Sequence, residues 1–143
     1  MKKVLLLFLM IGFISCKKDL IIINSIKQTI VPGVNSSKEY LKYNIDFRND
    51  SEGIKQIEKI IIVDNKTCYK VQYTLTKENS PKQLSVIKDK GNYTLKVAMI
   101  NGSFEVLTDC YKTKNGLYVF YSEDQQQKEF FIGKFKEERK TRR

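Results

Sequence analysis

The sequence contains no histidine and no tryptophan among its 143 residues. Without histidine, the usual Ser-His or Cys-His catalytic groups and His-ligated metal sites are excluded. The 2 prolines and 7 glycines are too few for a collagen-like chain or a proline-rich linker. There is no glycine-rich phosphate loop and no Asp-x-Asp calcium loop. The 41% hydrophobic and 29% charged residues fit a globular protein of one domain rather than a disordered chain.

The first 15 residues have the pattern of a signal peptide. Lys2 and Lys3 precede an apolar run over residues 4–14 that only Gly12 interrupts. As a helix this run would span roughly 16 Å, about half of a bilayer core. It is therefore too short for a stable membrane span and suits the hydrophobic region of a signal peptide, which we assign to residues 1–15.

The run ends in Phe13-Ile14-Ser15-Cys16, which resembles the lipobox of bacterial lipoproteins, with Phe13 where that family usually has leucine. The resemblance implies that Cys16 carries acyl chains (palmitate and related lipids) and anchors the chain in a membrane. Two or three acyl chains anchor stably, whereas one holds only marginally. By the same resemblance, Lys17, which is not the aspartate of inner-membrane retention, favours the outer membrane, facing the periplasm or the cell surface. The alternative is an ordinary cleaved signal peptide.

Most of the remaining chain alternates apolar and polar residues with a period of two, which predicts β-strands. No segment of ten or more residues has a convincing helical period. We predict an all-β fold, an antiparallel Greek-key β-sandwich of about seven or eight strands, with a small barrel as the alternative. Asn101-Gly102 and Asn115-Gly116 predict two-residue turns, the first a hairpin. The predicted organisation is a signal peptide (1–15), lipidated Cys16 with a tether (16–37) that could include a first strand, the sandwich (38–136) and a basic tail (137–143).

The stretch from Asp89 to Leu95 is Asp-Lys-Gly-Asn-Tyr-Thr-Leu and resembles the start of strand F in immunoglobulin-like domains. It is also similar to transthyretin-like sandwich modules. The immunoglobulin resemblance implies that the Tyr93 hydroxyl bonds back to the backbone at a corner between sheets. Leu95 stands where that family has a cysteine, so its usual intersheet disulfide cannot form there.

Two cysteines remain beyond Cys16, namely Cys68 and Cys110. In an exported protein such a pair can form a disulfide, and the alternative is two isolated thiols. Two cysteines without histidine make a metal site improbable, and we assign no metal and no cofactor.

Aromatic residues are concentrated in the last predicted strands. If Leu117, Val119 and Tyr121 point inward, Tyr118 and Phe120 point outward, and one of Phe130 and Phe131 does so as well. Tyr118, Phe120 and Phe131 would then form an exposed binding patch. The alternative is that other segments cover both faces.

The C-terminal stretch over 134–143 holds six basic and two acidic residues. It accounts for much of the net charge of +10. It could contact anionic lipid or an acidic partner, or simply be a solvated, frayed end. Nucleic acid is not an expected partner of an exported protein. The basic residues are Lys134, Lys136, Arg139, Lys140, Arg142 and Arg143.

These patterns together predict a membrane-anchored envelope lipoprotein that is not an enzyme and acts as a binding or assembly module for a protein or glycan partner. The alternatives are a glycan-capturing or hydrolase-inhibiting lipoprotein and, from a different class, a hydrolase that uses a pair of carboxylates. A concave pocket with two facing acids would favour the enzyme. A flat aromatic patch or an open edge strand would favour binding.

Overall fold

The computed structural model describes residues 19–33 and 38–142, which form two β-sheets packed face to face. Sheet A has five strands, in the spatial order β11 (Lys136–Thr141), β1 (Leu20–Val31), β2 (Tyr40–Asn49), β7 (Gly91–Met99) and β5 (Thr74–Lys77). Sheet B has the order β10 (Gln126–Ile132), β9 (Gly116–Glu123), β3 (Lys55–Asp64), β4 (Thr67–Val71) and β8 (Phe104–Leu107), and β6 (Val86–Ile87) also pairs with β3. All pairings are antiparallel except β1 with β11. The prediction of an all-β sandwich is confirmed.

The strand alternation predicted from sequence forms the core between the sheets. Ile45, Leu95 and Val97 of sheet A face Ile60 and Leu117 of sheet B, and each is at most 1% exposed. Neighbouring strands such as β2 and β7, or β3 and β9, are distant in sequence, because the chain crosses repeatedly between the sheets. Within the described residues no helix has the length and hydrophobicity to cross a membrane.

Eleven strands are present in the described residues, against the seven or eight that we predicted. The domain start predicted at residue 38 is wrong, since Leu20–Val31, for which a first strand is one of the alternatives, is β1, which pairs on both sides within sheet A. The tail predicted for 137–143 is wrong as well, because Lys136–Thr141 is β11. Both errors extend the domain beyond the predicted 38–136. The polar sequence of β11 shows no alternation, since an edge strand is held by backbone hydrogen bonds and needs no apolar face.

The two Asn-Gly turns do not connect paired strands. Asn101-Gly102 is a turn, but it carries the chain from β7 in sheet A to β8 in sheet B, so no hairpin forms. Gly116 begins β9 with a φ of 152°, and a Cβ there would lie 2.6 Å from the Ile132 carbonyl oxygen. The Asn115-Gly116 pair is therefore explained by close packing against β10. The tight hairpins have other sequences, Asn65-Lys66 between β3 and β4 and Asp124-Gln125 between β9 and β10, with positive φ at each residue.

A β-bulge in β1 decides which side chains face the interior. Leu20 and Ile22 pack on the main core, but the register with β2 shifts between Ile22 and Asn24. Beyond the bulge Lys27 lies opposite Tyr43 and Thr29 lies opposite Leu41, so these polar residues take the inward positions. One extra residue reverses the facing of every later side chain in the strand.

Candidate functional site

The two ends of the sandwich differ, and we name them by what they carry. The entry pole is the end where β1 begins at Leu20 and where Asn49, Lys55 and Glu123 also lie. The cleft pole is the opposite end, where β3 ends at Asp64. The predicted site residues are distributed between the outer face of sheet B, β11 and the cleft pole.

Tyr118, Phe120 and Phe131 lie on the face of sheet B that points away from the main core. They form a second cluster with Ile61, Val63 and Cys68. Tyr118 is only 5% exposed and its ring centroid is 4.7 Å from that of Phe131. The exposed aromatic patch that we predicted is therefore wrong, although the side chains do point outward, because this cluster is covered.

The cover is the connection between β8 and β9, residues 108–115. Cys68 and Cys110 are joined by a disulfide with a Cα–Cα distance of 6.0 Å, which fixes this connection to β4. The Tyr118 hydroxyl donates to the Lys114 carbonyl at 2.8 Å. The Lys112 ammonium pairs with Glu129 at 2.7 Å and lies 5.4 Å from the Tyr118 ring centroid. The outer cluster is thus closed by a covalent bond, a hydrogen bond and cation–π contacts.

The predicted basic tail does not form one patch. Arg139 in β11 pairs with Glu39 at 2.6 Å, and the Arg142 amide donates to the Val31 carbonyl at 2.9 Å. Lys134 lines a cavity at the cleft pole. Lys136 and Lys140 belong to β11, while Arg143 and the predicted lipidation site Cys16 lie outside the described residues.

Two adjoining cavities open between the sheets at the cleft pole. The first, here called the aromatic chamber, has a volume of about 420 Å³, and the second, the mixed chamber, about 360 Å³. Tyr43, Ile62 and Asp64 line both, so the two form one cleft. The aromatic chamber is also lined by Thr29, Glu39, Tyr40, Leu41, Tyr69, Met99 and Phe104. Volumes of this size are typical of small-molecule sites.

Tyr43 stands at the centre of the cleft. Its ring packs edge-on against Phe135 at 5.3 Å, and the residue is 4% exposed. Burial, together with the nearby carboxylates of Asp64 and Glu137, raises the pKa of Tyr43 to about 12. Both effects favour the neutral phenol, because a phenolate would be poorly solvated and repelled by the two acids. Tyr43 therefore presents a protonated hydroxyl to the cleft.

The mixed chamber contains charges of both signs. Lys27, Lys134 and Glu137 line it together with Asp64 and Tyr43. The Ser25 hydroxyl donates to the Lys134 carbonyl at 2.6 Å and so holds the segment between β10 and β11 against β1. This arrangement depends on the bulge in β1, which turns Lys27 into the cleft.

The entry pole contains a buried charge network. The Lys55 side chain is fully buried, and its ammonium donates to the Ser51 hydroxyl at 2.7 Å and lies 3.3 Å from a Glu123 carboxylate oxygen. That oxygen has no hydrogen bond aligned with it, so the contact is an ion pair without hydrogen-bond geometry. The Lys128 ammonium lies 3.8 Å from a Glu123 carboxylate oxygen and 3.5 Å from an Asp19 carboxylate oxygen, so it links these two acids. The network ties β3, β9, β10 and the start of β1 together.

Tyr43 alternates with polar neighbours in the sequence, as one face of a strand does, but no sequence pattern marks Tyr43, Asp64 or Glu137 as a site residue. Asp64-Asn65-Lys66 has the composition of a turn and Glu137 lies in the predicted tail, and only the pairing of β11 with β1 brings Glu137 near Tyr43. Within residues 19–33 and 38–142 no group of three or more Cys, Asp or Glu residues could hold a metal ion. Comparison with protein-family models, curated proteins and solved structures finds no match to this chain.

Proposed function

We propose that this chain is an envelope lipoprotein, anchored through acylated Cys16, whose sandwich is a non-enzymatic binding module with the cleft as its binding site. The lipobox-like residues 13–16 support the anchor. The membrane in question is the outer membrane, with the sandwich in the periplasm or at the cell surface. The partner is a protein or glycan of the envelope, and no nucleic acid is involved.

The placement of the cleft relative to Cys16 carries the proposal. Because β1 begins at Leu20, only residues 17–19 separate Cys16 from the sandwich. The nine residue steps from Leu20 to Thr29 run towards the cleft pole and span roughly 30 Å of strand. An acylated Cys16 would hold the entry pole near the lipid surface and direct the cleft away from it, where a partner has access.

Metabolic labelling with palmitate tests the anchor. In cells that express the full chain, we expect the protein to be labelled and to sediment with membranes. Cys16→Ser should abolish the label, while Ser15→Ala, which keeps a small residue before the cysteine, should retain it. An unlabelled wild-type chain that still begins at Met1 would refute the lipoprotein assignment.

Photo-crosslinking in native membranes tests the binding site. A photoreactive amino acid at Met99, which lines the aromatic chamber, should give a discrete crosslinked product. The matched control is the same amino acid at Ile54, which is 58% exposed near the entry pole. Equal products at both positions, or a product at Ile54 alone, would contradict a binding site in the cleft.

A carboxylate-dependent hydrolase is the second candidate, and one observation favours it. Asp64 and Glu137 line the same concave chamber, and acid–base hydrolysis by two carboxylates needs two acids in one cleft. Under this alternative the full chain would hydrolyse chromogenic glycosides, and Asp64→Asn and Glu137→Gln would each abolish turnover. Under the binding proposal the wild-type chain shows no turnover above that of Asp64→Asn.

A further inference from the structure

The charge of the aromatic chamber is opposite to that of the whole chain. The protein has a net charge of +10, yet the charged side chains that line this chamber within the described residues are the acids Glu39 and Asp64. Lysine and arginine residues are found at the adjoining mixed chamber and on the outer surfaces instead. Such a local reversal of sign favours a cationic occupant, because the charged side chains that line this chamber are acids.

The two acids differ in how far they are compensated. Glu39 accepts a hydrogen bond from the Arg139 guanidinium at 2.6 Å, so its charge is already balanced at the rim. Asp64 makes no ion pair or side-chain hydrogen bond with any residue of 19–33 or 38–142. Its carboxylate is close enough to Tyr43 to raise the pKa of that phenol. Asp64 therefore provides the uncompensated negative charge of the chamber.

The Tyr43 hydroxyl is the second polar group available to a ligand. Tyr43 is 4% exposed and lines both cavities, and its hydroxyl has no hydrogen-bond partner in the described part of the chain. The oxygen is not one of the fully buried unpaired polar atoms of the described residues, so it faces the open cleft, where a ligand can reach it. An ammonium group placed between Asp64 and Tyr43 would donate to both oxygens.

The walls of the chamber are aromatic. Tyr69 and Phe104 pack edge to face with ring centroids 5.7 Å apart, and Tyr40 and Tyr43 add two further rings. Elsewhere in this chain aromatic faces do attract ammonium groups, since Lys59 lies 5.0 Å from the Phe120 ring and Lys114 lies 4.8 Å from the Phe131 ring. In the described residues no lysine of the chain covers a ring of the chamber. The rings remain available for cation–π and apolar contact with a ligand.

We propose that the aromatic chamber binds a small organic cation, with its ammonium group between Asp64 and Tyr43 and its alkyl part against Tyr69 and Phe104. This inference rests on the cleft being the binding site, as proposed above, and adds the chemical class of the ligand. The volume of about 420 Å³ accommodates a ligand of the size of an amine metabolite, an amino sugar or a lysine side chain. The mixed chamber is less suited, because Lys27 and Lys134 oppose a cation there.

Nuclear magnetic resonance titration of the full chain in detergent micelles tests the class of ligand. The probes are n-butylammonium, the neutral 1-butanol and the anionic butyrate, which share an alkyl chain and differ in charge. We expect n-butylammonium to shift the amide resonances of Thr29, Tyr69 and Met99 with millimolar affinity. The other two probes should shift them at least tenfold more weakly. Equal binding of 1-butanol, stronger binding of butyrate, or no binding of n-butylammonium would overturn the proposal.

Three variants locate the site. Asp64→Asn should weaken n-butylammonium binding at least tenfold, and Tyr43→Phe should weaken it by about threefold to fivefold, which corresponds to less than 1.4 kcal/mol. The control Asp124→Asn lies in the β9–β10 turn at the entry pole, where its φ of 50° suits asparagine, and should bind as the wild type does. Dispersed amide spectra establish that each variant is folded. Unchanged affinity in folded Asp64→Asn would overturn the assignment of that carboxylate.

The titration and the labelling experiment fail independently. A chain that is labelled by palmitate and crosslinks through Met99 but does not bind n-butylammonium refutes only the class of ligand. A chain that binds n-butylammonium through Asp64 but is never acylated refutes only the anchor.

Discussion

The entry pole and the cleft pole of this sandwich are closed by different chemistry. At the entry pole the buried charges are matched, with Lys55 held by Glu123 and Ser51. At the cleft pole the covalent link between Cys68 and Cys110 fixes the outer cluster, while Asp64 and the Tyr43 hydroxyl have no partners in the described residues. The comparison teaches that the buried lysine of the entry pole lies beside an acid, whereas the carboxylate of Asp64 has no cationic partner among the described residues where the fold opens.

The same local hydrogen bond, from a tyrosine hydroxyl to a backbone carbonyl, occurs at both poles. The Tyr93 hydroxyl donates to the carbonyl of Asp89 at 2.8 Å, and the Tyr118 hydroxyl donates to the carbonyl of Lys114 at 2.8 Å. Each tyrosine follows its acceptor by four residues and lies near the start of a strand. Each bond fixes the connection that enters the strand, β6 to β7 at the entry pole and β8 to β9 at the cleft pole.

Removal of the disulfide should have the largest effect and should act on the cleft pole. The loop between Cys68 and Cys110 spans 42 residues, and its closure in the unfolded chain is worth about 4 kcal/mol by chain entropy. We expect the double variant Cys68→Ala/Cys110→Ala to lose up to that amount in urea unfolding. Amides of residues 108–118 should exchange faster than those near Glu123. Equally faster amide exchange at both poles would contradict the expectation that the disulfide mainly stabilises the cleft pole.

Loss of the partner of Lys55 should have the next largest effect and should act on the entry pole. Glu123→Gln leaves the ammonium of a fully buried lysine without its acid, which we expect to cost about 3 kcal/mol in urea unfolding. The apolar double variant Lys55→Met/Glu123→Leu should recover most of this loss. Asp64→Asn at the cleft pole is the matched control and should change the free energy of unfolding by less than about 0.5 kcal/mol.

The pKa of Tyr43 makes the cleft pole sensitive to alkaline pH. The folded chain holds this phenol protonated up to about pH 12, whereas an unfolded tyrosine ionises near pH 10. The corresponding stability is fully present below pH 10 and is lost as the pH rises towards 12, for a total of about 2–3 kcal/mol. Urea unfolding at pH 9 and pH 12 should show this additional loss in the wild type but not in Tyr43→Phe. Equal losses of stability in the wild type and in Tyr43→Phe would contradict this role of the Tyr43 phenol.

The smallest effects should come from the two tyrosine hydroxyls. Tyr93→Phe and Tyr118→Phe each remove one buried hydrogen bond and should each lower the free energy of unfolding by about 1 kcal/mol. Tyr111→Phe is the control, since Tyr111 is 92% exposed, and it should change nothing measurable. Chemical denaturation of the three variants measures these differences. A loss confined to one of the two poles would show that the shared geometry does not have a shared energetic role.

Local patterns predicted the parts of the fold that bury one apolar face. β2 and β7 lie where apolar and polar residues alternate, and β3 lies where residues 57–63 form the apolar run of a buried strand, since inward residues must leave water. From Tyr69 to Thr76 apolar and polar residues alternate as in one strand, yet the segment is divided between β4 in sheet B and β5 in sheet A. Alternation continues across that division, so the sequence contains no sign of the change of sheet.

The candidate site was harder to predict because it combines residues from distant strands. Asp64, Tyr43 and Glu137 come from three strands, and no spacing in the sequence relates them. The side chains of Tyr118, Phe120 and Phe131 point away from the main core as predicted, but they are covered rather than exposed. Alternation determines which face a side chain takes, whereas the cover over that face is a distant segment that the disulfide positions.

The sequence by itself determined an all-β body and the facing of its regular strands, because burial of apolar side chains at a period of two follows from local chemistry. Only the tertiary structure decided that the segments at both ends of the body, Leu20–Val31 and Lys136–Thr141, pair as strands, and that a bulge in β1 turns Lys27 and Thr29 into the cleft. These features depend on backbone pairing and register, which side-chain composition does not record.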